Sequence, residues 1–274
     1  MKKSVRIISC IAVCLLLVMV FPLLFGCQSN AQANKRRRVN SVNHRGYSDA
    51  PENTLAAFRL SKEKGFDMVE CDVQFTADNH AVLLHDATVD RTSNGSGRIS
   101  EMTLENVRKL DFGSWKSEEY AGEQIPTFDE FVALCVELQL HPYVEVKTGA
   151  TGDQMQKLLD IVRNADLTVT WISFDRKTIS FIAQQRPKAR VGLLTHLVTK
   201  DDLSFLSELM GYVDVFIDSY YPLLTSKDVK QCKQYAIPLE IWTVNSQKSI
   251  ADVDPYISGV TSDYVNAQEV FNTL

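Results

Sequence analysis

From Val39 onward, short β-branched or apolar runs alternate with amphipathic stretches of helical length. That alternation predicts repeated βα units around a parallel sheet. The strand candidates are Val39–Asn43, Met68–Thr76, Tyr143–Lys147, Thr168–Ser173, Arg190–Leu194, Val213–Ile217, Leu239–Thr243 and Gly259–Ser262. Helix candidates follow them at Thr54–Lys64, Phe128–Leu138, Asp153–Arg163, Lys177–Gln185, Leu203–Met210, Lys227–Tyr235, Gln247–Val253 and Ala267–Phe271. Eight such pairs predict an α/β fold closed into a (β/α)8 TIM barrel rather than an open sheet. After Tyr143 the strands recur about every 20 to 26 residues, but the second and third lie much further apart. The stretch from about 85 to 125 holds Gly95, Gly97, Gly113 and many polar residues, with a weak helical phrase at Thr103–Leu110. It is expected to be a small insertion after the second strand, over one face of the barrel.

The first 38 residues follow a different pattern. Lys2, Lys3 and Arg6 precede an apolar run from Ile7 to Phe25, broken only by Ser9 and Pro22. This is an export signal or a membrane anchor, with 1–27 as the segment and 28–38 as a polar and basic linker before the barrel domain at 39–274. Leu24-Phe25-Gly26-Cys27 resembles the lipobox of bacterial lipoproteins, which implies an acylated Cys27; an uncleaved N-terminal helix is the alternative. Either tethers the chain to the membrane from outside the cytoplasm. Lys35-Arg36-Arg37-Arg38 then supplies positive charge suited to anionic lipid heads.

Charge narrows the partners. The chain has 29 Lys and Arg against 34 Asp and Glu, and seven of the basic residues with none of the acidic ones fall in 1–38. The body therefore carries 22 against 34, a formal −12, so nucleic acid is excluded as a partner. An anionic phosphate would need a metal ion or well-placed cationic side chains there. Cys71, Cys135 and Cys232 are too few and too dispersed for a disulfide framework, and each sits in an apolar run, as buried thiols do.

Barrel enzymes place their chemistry at the C-terminal ends of the strands. The first strand runs into His44-Arg45-Gly46, putting an imidazole and a phosphate-suited guanidinium at such an end. In Met68–Thr76, strand alternation sets Glu70, Asp72 and Gln74 on one face, opposite Val69, Cys71 and Val73. The third strand likewise sets Glu145 and Lys147 together. Three inward carboxylates form an oxygen-only site for one divalent cation, Ca²⁺ or Mg²⁺ rather than zinc, or else an internal salt-bridge cluster around Lys147. A second histidine, His85, ends the run Ala81-Val82-Leu83-Leu84 and is followed by Asp86. His44 and His85 could exchange protons with a substrate at such a metal. Asn53 or Thr54 is expected to cap the first helix, Glu52 to support His44, Asp86 to steady His85, and His196 to rim the site.

Taken together, His44-Arg45-Gly46, Pro51-Glu52-Asn53-Thr54, Glu70-x-Asp72-Val73, Thr76-x-Asp78, His85-Asp86, Arg91-Thr92, Gly97, Ile125-Pro126-Thr127, Glu145-x-Lys147, Trp242-Thr243-Val244-Asn245 and Gly259-Val260-Thr261-Ser262-Asp263 resemble the glycerophosphodiester phosphodiesterase family in its usual order. The resemblance implies a phospholipase C-like barrel in which Glu70, Asp72 and Glu145 hold the cation and His44 and His85 are acid and base. It also implies that Arg45 and Lys147 bind phosphate and that Trp242 lies against the alcohol moiety. Ser262 departs from the family, where a Thr-Asp pairing is more usual, and this bears on how Asp263 is aimed. The expected reaction is metal-dependent hydrolysis of small glycerophosphodiesters to sn-glycerol 3-phosphate and an alcohol. The alternatives are a phospholipase acting on intact lipid or on a glycerophosphate wall polymer, and a non-catalytic binding barrel.

Overall fold

In the computed structural model, which describes residues 37–274, each apolar run becomes a strand because its side chains are covered on both sides, by the barrel interior and by a surrounding layer of helices. The chain runs β1 (Asn40–Asn43), α1 (Leu55–Glu63), β2 (Met68–Phe75), β3 (Ala81–Leu83), α2 (Leu104–Val107), α3 (Phe128–Leu138), β4 (His141–Val146), α4 (Gly152–Asn164), β5 (Thr170–Ser173), α5 (Arg176–Gln185), β6 (Arg190–Thr195), α6 (Lys200–Leu209), β7 (Asp214–Tyr220), α7 (Ser226–Tyr235), β8 (Leu239–Trp242), α8 (Gln247–Ala251), β9 (Ile257–Ser262) and α9 (Ala267–Thr273). The strand order β1-β9-β8-β7-β6-β5-β4-β2 closes through a β1–β2 pairing, which leaves no open edge. All eight of these strands are parallel, so the predicted (β/α)8 barrel is the observed one.

The expected elements fall where the periodicity put them, apart from their ends. The α3 helix matches its expected bounds; Thr127 and Glu130 form a reciprocal capping box at its start. Thr54, not Asn53, caps α1 by accepting from the Ala57 N–H. One strand had no counterpart among the eight candidates: β3 pairs antiparallel with the end of β2, Val73 opposite Leu83. The insertion thus begins at Ala81 rather than at His85, and β3 places His85 beside β2. The insertion has an apolar core of its own, built from Val82, Leu84, Val89, Ile99, Val107, Phe112 and Ile125, so it is a packed cap and not a loose loop. The expected helical phrase there contracts to the single turn of α2.

The main core lies between strands and helices, where Phe58, Phe128 and Phe131 are fully buried. Inside the barrel, a middle layer of Val42, Tyr143, Ile172, Leu194 and Phe216 fills the axis. Below it the interior turns ionic. Arg190 donates to the Tyr143 hydroxyl and to Glu240 at 2.7 Å each, and Asn40 donates to Glu240 at 2.8 Å. Gly259 makes room for this group, since a Cβ there would stand 2.3 Å from the Glu240 carboxyl carbon. This ionic group fills the lower end of the barrel, and a cavity opens at the upper end.

The cysteine expectation holds. Cys71, Cys135 and Cys232 are buried free thiols, and burial pushes the Cys232 thiol up to about 12. Among the described residues no helix is long and apolar enough to cross a membrane. The tether assigned to 1–27, Cys27 included, lies outside the described residues.

Phe131 packs its ring 4.6 Å from Phe58 and 6.2 Å from Phe128, measured between centroids. Phe131→Ala is expected to cost about 3–5 kcal/mol by cavity formation. Urea denaturation would show this as a lowered midpoint with an unchanged slope.

Candidate active site

The open end gathers residues from strands distant in sequence. Glu70 and Asp72 rise from β2 and Glu145 from β4; strand pairing sets Asp72 level with Glu145. The three are buried, and one carboxylate oxygen of each lies within 4.8 Å of the others. Lys147 bridges two of them, at 2.6 Å from Asp72 and 2.8 Å from Glu145. Arg45 Nε stands 3.3 Å from Asp72, and the Arg45 backbone N–H donates to Glu70 at 3.0 Å. Asn53 fixes Asp72 from the far side, donating through its side-chain amide at 2.8 Å and accepting from the Asp72 N–H at 3.1 Å.

Burial sets the protonation of this cluster. It drives the Glu70 carboxyl well above the usual range, with Asp72 and Glu145 adding repulsion. Burial and Asp72 push Glu145 up to about 7. For Asp72, burial pulls upward too, but Lys147 and Arg45 outweigh it and hold the group ionised. The ammonium of Lys147 loses by burial and gains more from Asp72 and Glu145. Three carboxylates against two cations leave one negative charge unmatched in a buried space, a balance that a cation or a proton must complete.

Both histidines are backed by a carboxylate. His44 Nδ1 lies 2.7 Å from Asp263 and His85 Nδ1 lies 2.7 Å from Asp86. Asp86 is held down to about 2, chiefly by the Arg91 guanidinium, and Asp263 is lowered as well: burial works against this, and the bond to His44 overcomes it. Ionised carboxylates only accept, so each Nδ1 carries the proton and each Nε2 is left for the cavity. Burial lowers the pKa of His85, with Lys147 and Arg45 assisting against the pull of Asp72. Ser262 does not disturb Asp263. Its hydroxyl donates to Asn245 at 2.9 Å, and Asn245 in turn accepts from the Asp263 N–H, which aims that carboxylate at His44.

His44, Arg45, Glu70, His85, Glu145, His196 and Trp242 line one cavity of about 440 Å³. Gly46 lets the first loop lie on α1: its φ is +83° and an added Cβ would come within 2.5 Å of that of Ala57. Opposite the carboxylates stands an aromatic wall in which Trp242 meets Tyr220 at 5.0 Å, His196 at 5.5 Å and Phe174 at 5.8 Å. His196 therefore rims the site as expected.

Glu52 is a correction. It does not support His44, which Asp263 holds from the end of the neighbouring strand β9; Glu52 instead accepts from Arg45 at 3.0 Å and from Arg91 at 2.6 and 2.8 Å. Arg91 also grips Asp86 at 2.7 Å, so one guanidinium from the cap ties the carboxylate behind His85 to the one beside Arg45. Neither that link nor the part of Asp263 was legible beforehand, because both join segments far apart in sequence. Asp218 also reaches the cavity. A strand drawn to Ile217 stops one residue short of it, although alternation from Phe216 would have pointed it inward.

The sequence from 44 to 267 matches the model of the glycerophosphoryl diester phosphodiesterase family. The chain belongs to this family. A glycerophosphodiester phosphodiesterase of Caldanaerobacter subterraneus is 32% identical over 229 residues, covering 81% of this chain and 93% of that protein. Human glycerophosphodiester phosphodiesterase 1 is 41% identical over 139 residues, 50% of this chain and 42% of its own. Among solved structures, an Oleispira antarctica phosphodiesterase in complex with the product sn-glycerol-3-phosphate superposes with a TM-score of 0.78 at 24% identity, over 85% of this chain and 96% of that one. The family member described here is accordingly an enzyme, a phosphoric diester hydrolase with glycerophosphodiester phosphodiesterase activity.

The Arg91 clamp has a pH signature. Asp86 falls from an ordinary 3.8 to about 2 in the folded chain, so its contribution to stability is complete above its unfolded value and disappears as pH falls through the folded one. Arg91→Ala is expected to lose about 1 kcal/mol or less at pH 7, as partly exposed pairs do. Denaturation at a series of pH values would show that gap narrowing from about pH 4 to about pH 2.

Proposed function

We propose that this family member hydrolyses small glycerophosphodiesters to sn-glycerol 3-phosphate and an alcohol, using one divalent cation, outside the cytoplasmic membrane. The observation that carries the reading is the convergence of a buried carboxylate triad, of which Glu70 and Glu145 line the cavity, with two carboxylate-backed histidines at the same cavity. The Oleispira phosphodiesterase, solved in complex with the product sn-glycerol-3-phosphate, supports the product. A cavity of about 440 Å³ suits a small diester better than a wall polymer or a two-chain lipid.

Glu70, Asp72 and Glu145 would hold the cation. The donor set fits, being all oxygen, buried and short of positive charge, which favours Mg²⁺ or Ca²⁺. When bound, such an ion neutralises charge developing on phosphate oxygens and organises the reacting oxygen atoms. Arg45 and Lys147 add the fixed positive charge that an anionic phosphate requires in a body of formal charge −12. Asp263 and Asp86 orient the rings of His44 and His85 so that each offers Nε2 to the substrate. One takes a proton from the attacking oxygen, and the other gives a proton to the departing one. Trp242 and the aromatic wall exclude water and lie against the alcohol moiety. The tether, assigned to Cys27 or to the apolar run before it, would place the enzyme where deacylated lipids are released outside the cell.

The test is release of sn-glycerol 3-phosphate from glycerophosphocholine by a fragment starting near Lys35, with Mg²⁺ or Ca²⁺ added or chelated. Release only with metal is expected; none with either ion would overturn the reading. In the same assay, Glu145→Gln should weaken metal binding and activity together, whereas His85→Ala should cut turnover by about 10²–10⁴-fold with the metal still bound. For location, Cys27→Ala is expected to release the full chain from membranes; unchanged retention would favour the uncleaved helix.

A further inference from the structure

A second groove lies at the lower end of the barrel, away from the active site. It encloses about 370 Å³ between the turn leading from α4 into β5 and the turn leading from α5 into β6. Arg163, Arg186 and Lys188 line it against a single acid, Asp166, an excess of positive charge in a body of formal charge −12. Arg163 is tied to Asp160 at 2.7 Å, whereas among the described residues neither Arg186 nor Lys188 has an ion-pair partner. Lys188 also holds a φ of +74°, which glycine would adopt at less cost, so the ammonium is kept in this turn against backbone preference. Its N–H donates to the Tyr212 carbonyl at 2.8 Å, which sets the turn before β7 beside the groove. In that turn Tyr212 and Met210 are 69% and 42% exposed.

We propose that this end of the barrel docks on an anionic lipid surface, with the groove receiving a lipid phosphate and with Tyr212 and Met210 at the boundary between head groups and acyl chains. The inference rests on the reading that the chain is tethered to a membrane, and adds which face of the enzyme the membrane meets. Charge is the first reason to name lipid as the occupant: unpaired guanidinium and ammonium groups complement lipid phosphates, and each gains from the negative potential of an anionic leaflet. The second is the exposed tyrosine beside those cations, whose apolar ring and polar hydroxyl suit the membrane–water interface. The third is connectivity. β1 begins at this same end, its Asn40 paired with Gly259 of β9, so the segment assigned to the tether is joined to the barrel here. The active-site cavity opens at the opposite end, and docking in this way leaves it facing the water that carries small diesters.

The test is flotation of the fragment starting near Lys35, which contains the whole barrel and its cap, with vesicles of phosphatidylcholine alone or mixed with phosphatidylglycerol. Binding is expected only to the vesicles that contain phosphatidylglycerol, and it should weaken as salt is raised. Arg186→Gln combined with Lys188→Gln should reduce that binding by about tenfold or more, with glycerophosphocholine hydrolysis in free solution unchanged. The basic run Lys35-Arg36-Arg37-Arg38 is present in both proteins, so its own attraction to lipid cancels in the comparison. Equal binding to the two kinds of vesicle overturns the proposal, and so does binding to neither, which would point to an acidic protein partner. Undiminished binding by the double variant overturns it as well; with a lowered thermal midpoint, that result would assign the two cations to the carbonyl ends of α4 and α5 instead. Failure of the tether reading is separate: it is seen as release of the full, unaltered chain from membranes by a high-salt wash, whereas docking is read on a fragment without the tether.

Discussion

The structure depends on a concentration of like charge at the top of the barrel. Glu70, Asp72 and Glu145 are buried, with one carboxylate oxygen of each within 4.8 Å of the others, an arrangement that costs free energy unless opposite charge or a proton offsets it. Lys147 and Arg45 neutralise part of it, and Asn53 ties Asp72 down with two hydrogen bonds. A hydrophobic trio at these positions would pack more easily. The chain instead sets three carboxylates against two cations, a donor set that a small hard cation or a proton would complete.

The remaining architecture can be understood as support for that cluster. Closure of the sheet fixes β2 beside β4, so that Asp72 and Glu145 meet in register. The ionic plug of Arg190, Tyr143 and Glu240 blocks the lower end and directs access to the upper one. The cap contributes His85 through β3 and then fastens its backing carboxylate with Arg91. Arg91, Glu52, Asp86 and Arg45 form a continuous chain of charge-assisted bonds around the rim, so the two histidine-bearing segments are held by different means: one by the cap, the other by the last strand through Asp263.

The two walls of the cavity have opposite chemistry. One is carboxylate and cationic, suited to the phosphoryl group and its counter-ion. The other is aromatic, formed by Phe174, His196 and Trp242.

Periodicity alone determined the barrel, because strands covered on both faces and helices apolar on one face leave period-2 and period-3.6 traces that few other folds share. It also determined the metal-suited triad: alternation within Met68–Phe75 and His141–Val146 puts Glu70, Asp72 and Glu145 on the inner face regardless of what surrounds them. The histidines could be located at strand ends for the same reason. Their partners could not, since Asp263 is 219 positions from His44, and the sequence offered the nearer Glu52 instead. The β3 hairpin, the Arg91 clamp and the place of Asp218 in the cavity wall likewise came only from the folded chain. Local pattern records which way a side chain points, whereas the partner it meets there is decided by the closure of the barrel and the packing of the cap, which bring distant residues together.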